Sequence, residues 1–248
     1  MRMYYFFCTL VTLFLSLNIY AADYPWLSEF GSTDDVFESG KKLMSLEYGL
    51  HPLEEESLVN SQLIIAVHGG QSRGYEWVYP LKILDSNIFN INFFRWNDLA
   101  CPEPSAIRLN ELISKKLMTN PKIERVILIS HSYGGLLTSW FYENWVNAIP
   151  MEIHAIATPI AGIELVNNIC NYIPPKRVLE GVYVNQWLTQ KELDGEFKDL
   201  EFDPQIIDLE KNETFLLPSK YRDKRLGHNW SISYVADELI KIRIEKKR

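Results

Sequence analysis

The chain has 248 residues, 47% of them hydrophobic, and a formal net charge of −7. That length and apolar content supply a single sizeable core of the α/β type. The acidic balance excludes a nucleic-acid-binding surface, which needs a basic face.

Met1 to Leu17 carries one basic residue, Arg2, and then an apolar stretch that ends near the small pair Ala21-Ala22. This is the layout of a secretory signal peptide over residues 1–22, ahead of one domain over residues 23–248. Cleavage would leave 24 basic against 32 acidic residues, a net of −8, in an exported protein, periplasmic or secreted. Ile19 and Tyr20 are large for positions just before a cut. An uncleaved membrane anchor is therefore the alternative, although the stretch is short of a comfortable span. Cys8 falls in the removed segment, which leaves Cys101 and Cys170. An even pair in an oxidising compartment is consistent with a disulfide, two unpaired thiols being the other reading.

From there the chain alternates between strand-like and helix-like runs. A strand is expected near Lys42 to Tyr48, and a buried one at Leu63–Val67 that runs into His68-Gly69-Gly70. A helix begins at about Gly74, and a strand covers Ile91–Trp96. A helix is expected from Pro104 to Met118, its start marked by Pro102 and Pro104 and its end by Asn120-Pro121. The uninterrupted apolar run after Arg125 reads as a strand buried on both faces, and the pattern becomes helical from Leu136 to Asn147. A strand at Met151–Ala157, a helix from Ile160 to Asn168 and a strand at Gly181–Trp187 follow. Beyond the acidic loop Leu188 to Asn212 come a short strand, Thr214–Leu217, and a last helix, Ile232 to Ile244. Its basic end, Lys241 to Arg248, suits a helix C-terminus. Such alternation predicts a mostly parallel sheet with helices on both faces and a ligand site at the carboxyl ends of its strands.

Ser132 sits where the strand after Arg125 becomes a helix, so a sharp turn would hold its hydroxyl out of the sheet. Neighbours two positions away must be small there, and they are Ser130 and Gly134. Taken alone, the pattern also fits a serine capping a helix.

The arrangement resembles the nucleophile elbow of the α/β-hydrolase superfamily, Gly-x-Ser-x-Gly, with Ser130 in place of the first glycine. The resemblance runs from about Leu43 to the C-terminus. It implies an α/β-hydrolase fold with little or no cap domain, because only Thr158 to Glu180 separate two strands, although Val166 to Lys176 could cover the site. Ser132 would be the nucleophile, and the oxyanion hole would be built from the amide of Gly70 or Gln71 together with that of Tyr133. Superfamily order places the base after Ser132. His154 lies inside a strand, which leaves His228 in the loop Leu226-Gly227-His228-Asn229-Trp230. The acid belongs just beyond the superfamily's seventh strand, matched here to Gly181–Trp187. Asp194, followed by Gly195, fits best, with Glu192, Asp199 and Asp203 as alternatives.

The implied activity is hydrolysis of an ester or thioester, lipase- or esterase-like, through an acyl-enzyme. The substrate would be a small or lipid-like ester, with contact at a membrane surface compatible with that. Tyr75, Trp77, Trp96, Tyr133 and Trp230 are candidates to line an apolar pocket, ordinary core packing being the other reading. A hydrolase-fold binding protein without turnover, or an acyltransferase using the same residues, is the competing reading. No cofactor motif or metal-ligand spacing stands out, and the carboxylates of Asp194 to Asp203 match no calcium loop.

Overall fold

The computed structural model describes residues 35–55, 60–85 and 89–246. The signal segment expected over residues 1–22 lies outside them. Five parallel strands form the centre of a seven-stranded sheet: β2 (Gln62–Val67), β3 (Phe89–Arg95), β4 (Arg125–His131), β5 (Met151–Ile156) and β6 (Val182–Leu188). At one edge β7 (Asn212–Leu216) continues the parallel run, and at the other β1 (Gly49–Pro52) pairs antiparallel with β3. The order across the sheet is β1-β3-β2-β4-β5-β6-β7.

The Leu-Ile-Ile-Ala-Val and Val-Ile-Leu-Ile runs are buried on both sides because each strand side chain points to the face opposite its neighbour's. Ile64 of β2 stands beside Ile127 of β4, and this row packs under α1 (Val36–Ser45), α2 (Tyr75–Leu84) and α7 (Ser231–Lys246). Ile65 stands beside Leu128, and that row packs under α3 (Pro102–Thr119), α4 (Tyr133–Ser139) and α5 (Phe141–Asn144). A one-residue slip of either strand would exchange the two rows. That locks the register, and with it the level at which each strand ends.

Three expectations need correction. Lys42 to Tyr48 is not a strand: Val36 to Ser45 is helical, and the first strand comes only at Gly49. The physical reason is a close crossing, since a Cβ on Gly40 would stand 2.3 Å from the Tyr75 backbone nitrogen, and Gly40 and Leu43 face inward at helical spacing. The helix expected from Leu136 to Asn147 starts at Tyr133 and breaks at Trp140 into α4 and α5. The helix expected from Ile160 is shorter and later, α6 (Glu164–Cys170).

Two features were not anticipated. β6, matched to the superfamily's seventh strand, is the sixth among the described residues. A small hairpin, β8 (Lys220–Tyr221) and β9 (Lys224–Arg225), turns at Arg222 and Asp223, with φ of 49° and 60°, and delivers the chain to His228. Both turn residues being left-handed is the backbone of a tight two-residue hairpin.

Cys101 and Cys170 form a disulfide with their Cα atoms 5.4 Å apart, joining the N-cap of α3 to the end of α6. Among the described residues, no helix is long and apolar enough to cross a membrane.

Candidate active site

Ser132 stands between β4 and α4 with φ 51° and ψ −122°. A non-glycine residue holds such a backbone only when its surroundings impose it, at a cost of roughly 1–3 kcal/mol. The surroundings are two glycines. A Cβ on Gly134 would lie 2.4 Å from the His68 carbonyl oxygen, and one on Gly135 would lie 1.9 Å from Thr158 Oγ1. α4 can therefore press against β2 and the end of β5 only with glycine at both places. Ser130, which departs from the glycine of the elbow pattern, is fully buried; its Oγ donates to the His154 carbonyl at 3.2 Å and lies 2.7 Å from Thr138 Oγ1. A hydroxyl is accommodated because a polar partner from α4 meets it.

Nδ1 of His228 lies 2.9 Å from Oδ2 of Asp194. The Asp194 side chain is fully buried, and it also accepts from Thr189 Oγ1 at 2.5 Å and from the Glu196 amide at 2.9 Å. Burial by itself would raise its pKa, but the hydrogen bonds from His228, Thr189 and Glu196 outweigh it and hold the carboxyl below its usual range. An ionised Asp194 can only accept, so Nδ1 of His228 carries the proton and Nε2 is left as the acceptor.

Of the four candidate acids, Asp194 is the one that meets His228. Glu192 and Asp199 are exposed, and Asp203 accepts from Gln205 at 3.0 and 3.1 Å. His154 is buried inside β5, where Nδ1 accepts from Trp187 Nε1 at 3.1 Å and Nε2 donates to Glu152 at 3.0 Å.

The loop after β2 is fixed by His68. Nε2 of this buried ring accepts from the Trp96 amide at 3.2 Å, so Nδ1 bears the proton and donates to the Gly69 carbonyl at 2.8 Å. Burial, the largest influence, pushes its pKa down to about 4, which keeps the ring neutral at physiological pH. The Gln71 amide donates to Asp98 Oδ2 at 2.5 Å and is thereby committed. Among the described residues, the amides of Gly70 and Tyr133 donate to no protein acceptor. The two residues are neighbours, a Cβ on Gly70 falling 3.6 Å from that of Tyr133.

No protein-family model matches the chain, and no curated protein matches it in sequence. Among solved structures, a lipase-esterase related protein from Clostridium acetobutylicum is 11% identical with a TM-score of 0.50, over 77% of this chain and 98% of that one. An esterase from Pyrococcus furiosus is 15% identical with a TM-score of 0.47, over 87% of this chain and 94% of that one. A serine hydrolase without a lid from Xanthomonas campestris is 12% identical with a TM-score of 0.47, over 77% and 85%. The fold is that of the α/β hydrolases.

On this hydrolase fold, Ser132, His228, Gly70, Gln71 and Tyr133 all line one cavity of about 650 Å³. Its apolar lining comes from Leu99, Ile163, Leu165, Val166, Phe197 and Leu200. Ile163, Leu165 and Val166 belong to the short connection between β5 and β6, so the start of α6 forms part of the cavity wall. Of the five aromatic candidates, Tyr75 and Tyr133 reach the cavity. Trp77 and Trp96 are buried in the two core faces, and Trp230 packs against Tyr221 at a ring separation of 5.2 Å. These three provide buried area instead.

Sequence reasoning missed His131. This buried ring, directly before Ser132, places Nε2 3.2 Å from the His228 carbonyl. Burial, then the nearby His228, push its pKa well below the usual value. Chain order screens for a base after the serine, and nothing local announces a contact from the residue before it.

Proposed function

We propose that the protein is a serine hydrolase that cleaves an ester or thioester through an acyl-enzyme on Ser132. The observation that carries this reading is the strained Ser132 sharing one cavity with a His228 ring oriented by a buried, ionised Asp194. In the first step Ser132 Oγ attacks the substrate carbonyl carbon while Nε2 of His228 takes the hydroxyl proton. Asp194 holds the imidazole in the tautomer that permits this and stabilises the imidazolium. The carbonyl oxygen, now negative, receives the amides of Gly70 and Tyr133, which have no other acceptor among the described residues. Gln71, the other candidate donor, is left to shape the loop because its amide is spent on Asp98. Collapse of the tetrahedral species returns the proton from His228 to the leaving alcohol or thiol. Water then repeats the sequence, giving its proton to His228, and releases the acid together with free Ser132.

A fluorophosphonate probe tests the nucleophile directly, since it labels an activated serine and leaves an ordinary one untouched. Wild-type protein should be labelled and should hydrolyse short p-nitrophenyl esters. Ser132→Ala should lose labelling and several orders of magnitude in turnover. Near-wild-type activity in that variant would end the reading.

The same proposal includes export with cleavage near Ala22 or Asp23, supported by the N-terminal layout and by a disulfide of the kind that persists in oxidising compartments. Intact mass of the natively produced protein tests it, an unprocessed N-terminus pointing instead to an anchor.

A further inference from the structure

The two amides proposed to receive the oxyanion come from different segments of the chain. That of Gly70 lies on the loop after β2, and that of Tyr133 opens α4. Gly69 and Gly70 are adjacent, and glycine has more backbone freedom than any other residue, so the loop must be held if both amides are to meet one oxygen.

The ties come from the segment Trp96 to Ala100, directly after β3. On one side of the glycine pair, the Trp96 indole donates to the His68 carbonyl at 2.9 Å and the Trp96 amide donates to the His68 ring at 3.2 Å. On the other side, Oδ2 of Asp98 accepts from the Gln71 amide at 2.5 Å. The two glycines are thus suspended between fixed ends. Across from them, the Trp96 ring lies 5.2 Å from that of Tyr133, whose hydroxyl donates to the Ala100 carbonyl at 2.9 Å. One short segment therefore touches both halves of the oxyanion hole.

Gln71 has a φ of 52°, in the left-handed region, which a residue with a side chain occupies only where its surroundings impose it. The Asp98 carboxylate supplies that constraint. It fixes the plane of the peptide that joins Gly70 to Gln71, and a charged acceptor makes the bond a strong one. Asp98 is itself held, with its side chain only 12% exposed and Arg95 3.8 Å from Oδ1. Arg95 is anchored in turn, its Nε donating to the Met44 carbonyl at 3.1 Å.

We propose that Asp98 is a positioning residue for the oxyanion hole: acting through the Gln71 amide, it keeps the Gly70 amide in register with that of Tyr133. The inference rests on the acyl-enzyme reading and adds to it the residue that sets the geometry of the hole.

The test compares an ester with the thionoester of the same acid and alcohol, in which sulfur replaces the carbonyl oxygen. Amides placed for an oxygen anion fit the larger sulfur anion poorly, so a change between variants in the ratio of the two kcat/KM values reports on the hole. Wild type should favour the ester. Asp98→Ala should lower kcat on the ester by about 10²-fold, the scale of a 1 Å misplacement, and change KM much less. It should also bring the ester-to-thionoester ratio down by about tenfold, because the thionoester has less stabilisation to lose. Asp98→Asn keeps an oxygen that can accept from the Gln71 amide and should recover most of that ratio.

A variant that merely folds poorly loses both rates together and keeps the wild-type ratio. A wild-type ratio in Asp98→Ala, a ratio in Asp98→Asn as low as in Asp98→Ala, or equal wild-type rates on the two substrates would overturn the inference. Ester hydrolysis that depends on Ser132 leaves the acyl-enzyme reading standing in each of those cases. Failure of wild type to hydrolyse the ester sinks that reading and the inference with it.

Discussion

The Nε2 atom of His131 lies 3.2 Å from the main-chain carbonyl of His228, and the two imidazole rings are 4.6 Å apart. The residue before the proposed nucleophile thus holds the backbone of the residue proposed as base, across 97 positions of sequence. Ser231 Oγ donates to the same carbonyl at 2.5 Å, so the loop is gripped from both sides. His131 must keep a proton on Nε2 to act this way, and as a buried neutral ring it can.

His131→Ala should therefore lower kcat much more than it changes KM, by something like 10²-fold if the imidazole of His228 drifts by about 1 Å. His131→Gln, whose amide nitrogen can still donate to the His228 carbonyl, should recover part of the loss. Steady-state kinetics on the two variants decide the matter, and equal kcat values in both would remove His131 from any positioning role.

Asp194→Asn should reduce turnover by about 10³ to 10⁴-fold, as loss of the correct imidazole tautomer does in serine proteases. Asp199→Asn and Glu192→Gln should have small effects because those carboxylates are exposed. Asp203→Asn should cost some stability through Gln205, which it holds at 3.0 Å, and much less activity. A panel of purified amide variants assayed on one ester separates them. A large defect at any position other than Asp194 would contradict the assignment.

Joint replacement of Cys101 and Cys170 by alanine should cost about 4 kcal/mol of stability, the chain-entropy expectation for a bridge closing a loop of this size, with less if the native state is strained. KM should rise as well. The bridge ties Cys101, two residues beyond the cavity-lining Leu99, to the end of α6, whose first turn lines the cavity through Leu165 and Val166. Chemical denaturation and ester kinetics measure the two effects, and an unchanged KM would show that α6 holds its place without the bridge.

Glu54 yields a prediction of opposite sign to the usual acid denaturation. Burial, and after it the hydrogen bond and charge of Asp85, push its pKa up from 4.5 to about 7, and its Oε1 has no partner among the described residues. A folded-state pKa above the unfolded one means the group's contribution is fully present below pH 4.5 and is lost as pH rises through about 7. Glu54→Gln should accordingly raise Tm at pH 8 relative to wild type and leave it nearly unchanged at pH 4. A thermal-unfolding series across that range checks it, and parallel Tm curves for the two proteins would refute it.

What could be read along the chain was local in origin. The buried strands Leu63–Val67 and Val126–Ile129 are continuous apolar runs, and their period alone separates them from the helices between. Ser132 was legible because the elbow is built within a few residues, where a strand stops, small residues cluster and a helix begins. The resemblance then ordered the rest, and His228 followed by elimination among five histidines.

Other features needed the tertiary structure, because they depend on which distant segments meet. Glu192, Asp194, Asp199 and Asp203 look alike in a crowded acidic loop. Asp194 is singled out only when Thr189 and Gln205 close that loop and the hairpin before Leu226 brings His228 to it. Trp77, Trp96 and Trp230 read as pocket residues for the same reason, since a large apolar ring serves a core and a cavity equally well until its neighbours are known. The first helix reads as a strand in sequence because its decisive residue is Gly40, whose missing side chain matters only where Gly74 and Tyr75 pass against it. The grip of His131 on the His228 loop is a contact across two ends of the chain, and chain closure, which no local pattern encodes, creates it.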